Sequence, residues 1–366
     1  MKIIHCADLH LDSKIDGMPA EKSKKRREEI IRSFERLVDF AIENAVRVII
    51  IAGDLFDEDR ITAKTKNRVL AKIRSAASVD FLYLSGNHDN KDVFIDEDVP
   101  ANLKMFLDGW TSFEYGNVCI TGVSESKYGY DSLYESLNLD VDQINIVAMH
   151  GQVAGYKSDV MAEAISLPRL KERNIDYLAL GHIHSYSKNA FDERGDYAYC
   201  GCLDGRGFDE LGKKGFVLIE TDDEKTKFTG VKRVMTNFVP FSSRENHEET
   251  VYCDCYENWF AFRDEVISNL KNKYKKDDLI KLILKGEHKI EFAIDRENLE
   301  SILNEEFFFC KVQDKTTLKI SNEDFTNDKT VRGEFVRAVL ESNMPEEKKS
   351  AVILLGLNAL KGESIK

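Results

Sequence analysis

Five apolar runs in this 366-residue chain each stop, within a residue or two, on aspartate, asparagine or histidine. They read IIHCADLH to Asp8 and His10, VIIIAGD to Asp54, FLYLSGNHD to Asn87, His88 and Asp89, INIVAMH to His150, and YLALGHIH to His182 and His184. These ends take five of the eight histidines and leave only His5, His247 and His288 elsewhere. The runs are nearly continuous in Ile, Val, Leu, Phe and Tyr, which suits strands covered on both faces. Longer amphipathic stretches separate them, so residues 1 to about 185 carry the βαβα rhythm of an α/β layer fold. A sheet of that kind binds ligands outside the carboxyl ends of its strands, where residues far apart in sequence converge.

In Asp8-Leu9-His10 and His182-Ile183-His184 the i, i+2 spacing predicts extended backbone, with both polar side chains on one side and the apolar middle residue turned inward. Glycines precede Asp54, Asn87 and His182, where a strand must turn sharply. Mixed oxygen and nitrogen donors without sulfur favour Mn, Fe or Zn over Ca or a thiolate-held zinc. Asp8, His10, Asp54, Asn87, His150, His182 and His184 are enough ligands for two divalent ions sharing one carboxylate. Two ions about 3.5 to 4 Å apart activate water and stabilise both oxygens of an in-line displacement at phosphorus, so phosphoester hydrolysis is the reaction this set suits. Each short motif alone is common in turns; the ordered set of five is what carries the argument.

The rest of the chain bounds this picture. Its length predicts two domains. Lys plus Arg total 52 against 65 Asp plus Glu, a net charge of -13, so any nucleic-acid contact must be local or shared with a partner. No uncharged apolar run approaches the ~18 residues of a membrane span, and an N-terminus with an acid and histidines in its first ten residues is no secretory signal; cytoplasmic residence is expected. Seven cysteines, an odd number, read as reduced thiols, and the CxC pairs Cys200/Cys202 and Cys253/Cys255 as ordinary strand residues. Residues 186 to 241 show strands without helices, which predicts a second sheet or extra edge strands completing a first domain. The polar stretch Ser242 to Thr250 reads as a linker. We therefore expect domains at 1–244 and 245–366, the second a smaller α+β unit of strand, helix, strand, helix, strand and two helices, Val331 to Leu340 and Glu346 to Leu360.

The set DxH, GDxxD, GNHD, HG and GHxH resembles the calcineurin-like metallophosphoesterase superfamily. HCADLHLDS, RREEIIRSFERLVDFAIE, VIIIAGDLFD, YLSGNHD and GRGFDELGKKGF further resemble the SbcD-type DNA repair exonucleases, nearest their YhaO-like branch, and VQDKTTLKI, TVRGEFVRAVL and ILLGLNALKGE extend the likeness into the second domain. The resemblance implies a layered β-sheet and helix domain with an α+β cap that helps select DNA, and a metal-dependent nuclease. It implies one ion on Asp8, His10, Asp54 and His184 and another on Asp54, Asn87, His150 and His182, with Mn2+ the usual metal. His88 would give a proton to the leaving oxygen or stabilise charge on the phosphorane, with Asp89 holding its ring. An SbcC-like coiled-coil ATPase partner and a homodimer built on the first domain are also implied. Tyr199-Cys200-Gly201-Cys202 departs from the family, which has Pro and a small hydroxyl residue there.

The alternatives are a small-molecule or cyclic-nucleotide phosphodiesterase or phosphatase on the same scaffold, and a non-catalytic scaffold that loads the ATPase. Protein Ser/Thr phosphatases carry GDxxDRG and GNHE, whereas Glu58 and Asp59 follow Asp57 here and the third motif is GNHD. Gly207 to Lys214 nearly spells a phosphate-binding loop, but Lys214 replaces the required hydroxyl and a strand follows, so no nucleotide site is expected. Arg206 reads equally as a bidentate donor to substrate phosphate or as an exposed loop arginine. The basic runs Lys22 to Arg27, opening a helix against its macrodipole, and KNKYKK at 271–276 read as solvated faces, with DNA or a partner as the other candidate. Phe307, Phe308 and Phe309 read as core or domain-interface aromatics.

Overall fold

A computed structural model describes residues 1–57, 61–90, 93–94, 97–124, 130–131, 133–153, 164–222, 233–289, 292, 294–319, 325 and 328–360; Glu58, Asp59 and part of the strand-rich stretch 186 to 241, residues 223–232, lie outside the described residues. The chain divides into two compact units, Met1–Asn246 and His247–Lys366.

Unit 1 holds two six-stranded sheets among its described residues. In the first, Lys2–Cys6 (β1), Val48–Ala52 (β2), Asp80–Leu84 (β3) and Leu103–Met105 (β4) run parallel. In the second, Val118–Gly122 (β6), Ile144–His150 (β7) and Tyr177–Gly181 (β10) run parallel, with Thr111–Tyr115 (β5) antiparallel at one edge. A short parallel pair, Gln152–Val153 (β8) and Ala164–Ile165 (β9), lies apart from both. Every residue of β2 is buried, and its alternation divides the burial. Ile49 and Ile51 pack on the helices Ala20–Glu43 (α1) and Ala63–Ser75 (α2), while Val48, Ile50 and Ala52 pack on Ile120, Ile146 and Ala179 of the second sheet. That double burial is why the runs are continuous rather than alternating, and each fully buried Ile contributes roughly 1.5–3 kcal/mol.

The helix-poor stretch supplies edges to both sheets. Ser187–Ala190 (β11) and Asp196–Tyr199 (β12) extend the second, and Gly215–Thr221 (β13) and Val234–Pro240 (β14) extend the first beside β1.

Two sequence expectations change here. The basic run at the start of α1 is not a solvated face throughout, because Arg26 is fully buried. It pairs with Asp204 and donates from Nε and Nη2 to Gly205 O at 3.2 and 2.7 Å. Asp204 is itself buried and accepts from Ser33 Oγ at 2.7 Å and from Ser243 N at 3.0 Å, so it needs the cation. Nor is Ser242 to Thr250 a free linker. Arg244 binds Glu29 through Nε at 2.8 Å and Nη2 at 2.7 Å, and Asn246–Tyr252 is a strand.

Unit 2 follows the expected order, with helices Trp259–Lys273 and Arg296–Glu306 alternating with strands Leu279–Lys285 and Phe309–Asp314, then Val331–Leu340 and Glu346–Leu360. Its core gathers Trp259, Phe262, Leu282, Phe292 and Phe307. Among the described residues no helix is long and apolar enough to cross a membrane.

Candidate metal centre

The polar ends of β1, β2, β3, β7 and β10 meet in unit 1, but not on extended backbone. β1 stops at Cys6, and Asp8 and His10 take left-handed φ values of 52° and 44°. Asp54 at 53° and His182 at 99° do the same. Such conformations cost of order 1–3 kcal/mol each and persist only where the surroundings enforce them. Here Asp8 N donates to Gly53 O at 3.1 Å, His10 N to Asp54 O at 3.0 Å, and His182 N to the two oxygens of Asp8 at 2.9 and 3.1 Å. Asp8-Leu9-His10 and His182-Ile183-His184 thus do not continue their strands as the regular extended backbone expected, since Asp8, His10 and His182 are left-handed; Leu9 is buried as foreseen. Gly53 has φ 92°, and a Cβ there would overlap the His150 ring; one on Gly181 would strike Ala52 O.

Second-layer hydrogen bonds decide what the imidazoles present. His10 Nδ1 lies 3.0 Å from Asp57 Oδ1 and His184 Nδ1 lies 2.7 Å from Glu210 Oε1, so each Nδ1–H is committed to a carboxylate. Their Nε2 atoms, which then carry lone pairs, face each other at 3.2 Å. His150 Nδ1 lies 2.9 Å from Ala52 O, which turns Nε2 toward Asn87 Oδ1 at 2.9 Å and Asp54 Oδ2 at 3.4 Å, so that Nε2 is the atom a cation would meet in place of its proton. Lone pair against lone pair is repulsive unless a cation lies among them, and carboxylates behind histidines are how proteins orient metal ligands. Ligand atoms of Asp8, His10 and His184 lie within 4.8 Å of one another, as do those of Asp8, Asp54 and His150. Asp54 Oδ2 is 3.6 Å from His10 Nε2 and 3.4 Å from His150 Nε2, between the two groups. His182 Nδ1 approaches Asn87 Oδ1 at 3.3 Å. The donor set therefore fits two divalent cations.

Charge tells the same story. Burial pushes the Asp8 carboxyl up, and Asp54 adds to this against the pull of His150. Burial also opposes ionisation of Asp54, but His150 and His10 outweigh it and hold that carboxyl well below its usual range. Burial would strip the proton from His150, yet Asp54 and Asp8 hold its imidazolium up to about 10. His182, desolvated and facing His150, is lowered to about 4. A negative field that keeps a proton on a buried imidazole at neutral pH is one a divalent cation can occupy instead.

His88 stands at the rim, 55% exposed, its ring centroid 5.1 Å from that of His10. Asp89 is not placed to hold it: the Asp89 oxygens accept from Leu55 N at 3.2 Å, Phe56 N at 2.9 Å and Gly86 N at 3.0 Å, which locks the Asp54 turn to the Asn87 turn. The carboxylate facing His88 is Asp57, with Oδ1 3.7 Å from Nδ1. Arg206 lies beside the cluster with its Nε and Nη2 on Glu210 Oε1 at 3.0 and 2.7 Å. Asp57 and Glu210 were missed as site residues; the second Asp of GDxxD and the acid four residues after Arg206 were the available signals. Cys200 and Cys202 are buried, and burial pushes both thiols up, in keeping with inert thiols.

A family model described as calcineurin-like phosphoesterase matches residues 1–186, which carry all seven metal-set residues and His88. The DNA double-strand break repair protein Mre11 of Aeropyrum pernix is 26% identical over 239 residues, covering 59% of this chain and 57% of that protein. Mre11 of Saccharolobus solfataricus is 24% identical over 349 residues, covering 89% and 86%. The uncharacterized metallophosphoesterase YhaO of Bacillus subtilis is 26% identical over 234 residues, covering 60% and 57%. The chain thus spans little more than half the length of the Aeropyrum and Bacillus relatives. With its first half matched by that model and its strand ends converging on a two-cation donor set, this chain belongs to the calcineurin-like phosphoesterase family, whose members use a dinuclear divalent metal centre.

Proposed function

We propose that this chain is a metal-dependent DNA nuclease of the SbcD type. The observation that carries the catalytic part is the convergence of the Nε2 atoms of His10, His184 and His150 on the carboxylates of Asp8 and Asp54. Asp8, His10, Asp54 and His184 would hold one ion and Asp54, Asn87, His150 and His182 the other. Bound there, two ions lower the pKa of water and neutralise charge on a phosphodiester, and Mn2+ is our expectation for both. His88, exposed at the rim, would deliver a proton to the leaving oxygen or stabilise charge on the phosphorane, with Asp57 orienting its ring. Asp89 acts at one remove, by holding the turn that carries Asn87 and His88.

DNA as substrate is supported by the relatives named for double-strand break repair. A net charge of -13 requires help against a polyanion, which the ions and a partner would supply. An SbcC-like ATPase fits that role, with unit 2 helping select DNA, the chain a homodimer and the assembly cytoplasmic. The test compares Mn-loaded protein on linear duplex DNA, single-stranded DNA and bis-p-nitrophenyl phosphate. We expect DNA to be cut; turnover of the small diester with DNA left intact would replace this reading with the small-molecule phosphodiesterase.

A further inference from the structure

His184 is 28% exposed, so limited packing holds its ring, and its orientation comes from Glu210, with Oε1 2.7 Å from Nδ1. Glu210 is 2% exposed, and a carboxylate so far out of water needs compensating donors. Arg206 supplies three: its backbone N to Oε2 at 2.6 Å, and Nε and Nη2 to Oε1 at 3.0 and 2.7 Å. The bidentate edge with which an arginine grips a phosphate is therefore engaged inside the protein. The segment bearing both residues is itself tied down. Asn246 Nδ2 donates to Gly207 O at 2.7 Å and Glu210 O at 3.2 Å, Arg26 holds Gly205 O, and Lys214 Nζ holds His184 O at 2.6 Å.

We infer that Glu210 and Arg206 are positioning residues for the ion on the Asp8, His10 and His184 side, and that Arg206 serves that ion rather than the substrate phosphate. This rests on the dinuclear reading above and deepens it. Glu210 commits Nδ1–H of His184, which presents Nε2 for ligation; Arg206, through its three hydrogen bonds, keeps the Glu210 carboxyl in place.

The test is calorimetric titration of the full metal-stripped chain with MnCl2. Wild type takes up two ions. Glu210→Ala weakens one of them about 10–100-fold and leaves the other, and Glu210→Gln, which keeps an acceptor for Nδ1–H, recovers part of the loss. Arg206→Met weakens the same ion less and, at saturating Mn, keeps the wild-type KM for bis-p-nitrophenyl phosphate. Wild-type titrations in both Glu210 variants overturn the inference. So does Arg206→Met with an unchanged titration and a raised KM, the behaviour of a phosphate ligand. A wild-type chain that takes up no Mn fails one step earlier and removes the dinuclear reading itself.

Discussion

At the scale of single residues, the side chains proposed to hold ions separate from the one proposed to move a proton. His88→Ala should leave Mn content unchanged and lower turnover about 10²–10⁴-fold, whereas Asp54→Ala should lose both ions and all turnover, with metal analysis beside initial rates as the check. Gly181→Ala should act like Asp54→Ala on metal content, because its Cβ strikes Ala52 O and crowds His150. A different residue contributes to acid stability. His5 is buried, with Nδ1 2.9 Å from the Tyr177 hydroxyl, and burial lowers its pKa to about 3. With the folded value below the unfolded one near 6.5, its contribution is whole above pH 6.5 and is lost as pH falls toward 3, at about 1.4 kcal/mol per pH unit. His5→Phe should therefore flatten the loss of stability between pH 6 and 4, measured by urea unfolding in EDTA beside wild type. The candidate ligands were legible in the sequence because few residue types bind ions and all seven sit where apolar runs stop. Their left-handed backbone was not, since Asp8, His10 and His182 depend on hydrogen bonds from distant turns.

At the scale of elements, α1 does more than cover a sheet. Its first turns send Arg26 into the protein to hold Asp204 and Gly205, next to the segment that orients His184. Arg26→Ala should cost about 3–5 kcal/mol by stranding a buried carboxylate, while Lys24→Ala on the exposed side should stay within about 0.5 kcal/mol, both read by denaturant unfolding. The strands were readable because burial on both faces leaves unbroken apolar runs. Arg26 and the stretch Ser242 to Thr250 were misread for one reason: their polar groups are satisfied by partners such as Asp204 and Glu29, more than a hundred residues away, and composition cannot report that.

At the scale of the whole molecule, metal and fold are coupled. Without ions the buried Asp8 and Asp54 would face imidazoles and the backbone N–H groups of His182 and His88 but no divalent cation, so EDTA should abolish hydrolysis and lower Tm. Mn at a hundred times its Kd should return about 2.7 kcal/mol per ion, seen as a metal-dependent Tm. The order of the centre's parts along the chain has a further outcome. His10 and His184, which face each other across it, are 174 positions apart, and Glu210 is farther on. In the proposed centre a chain still on the ribosome would expose the first candidate ligand early and the last late, so a fragment emerging before His184 would hold only part of the donor set.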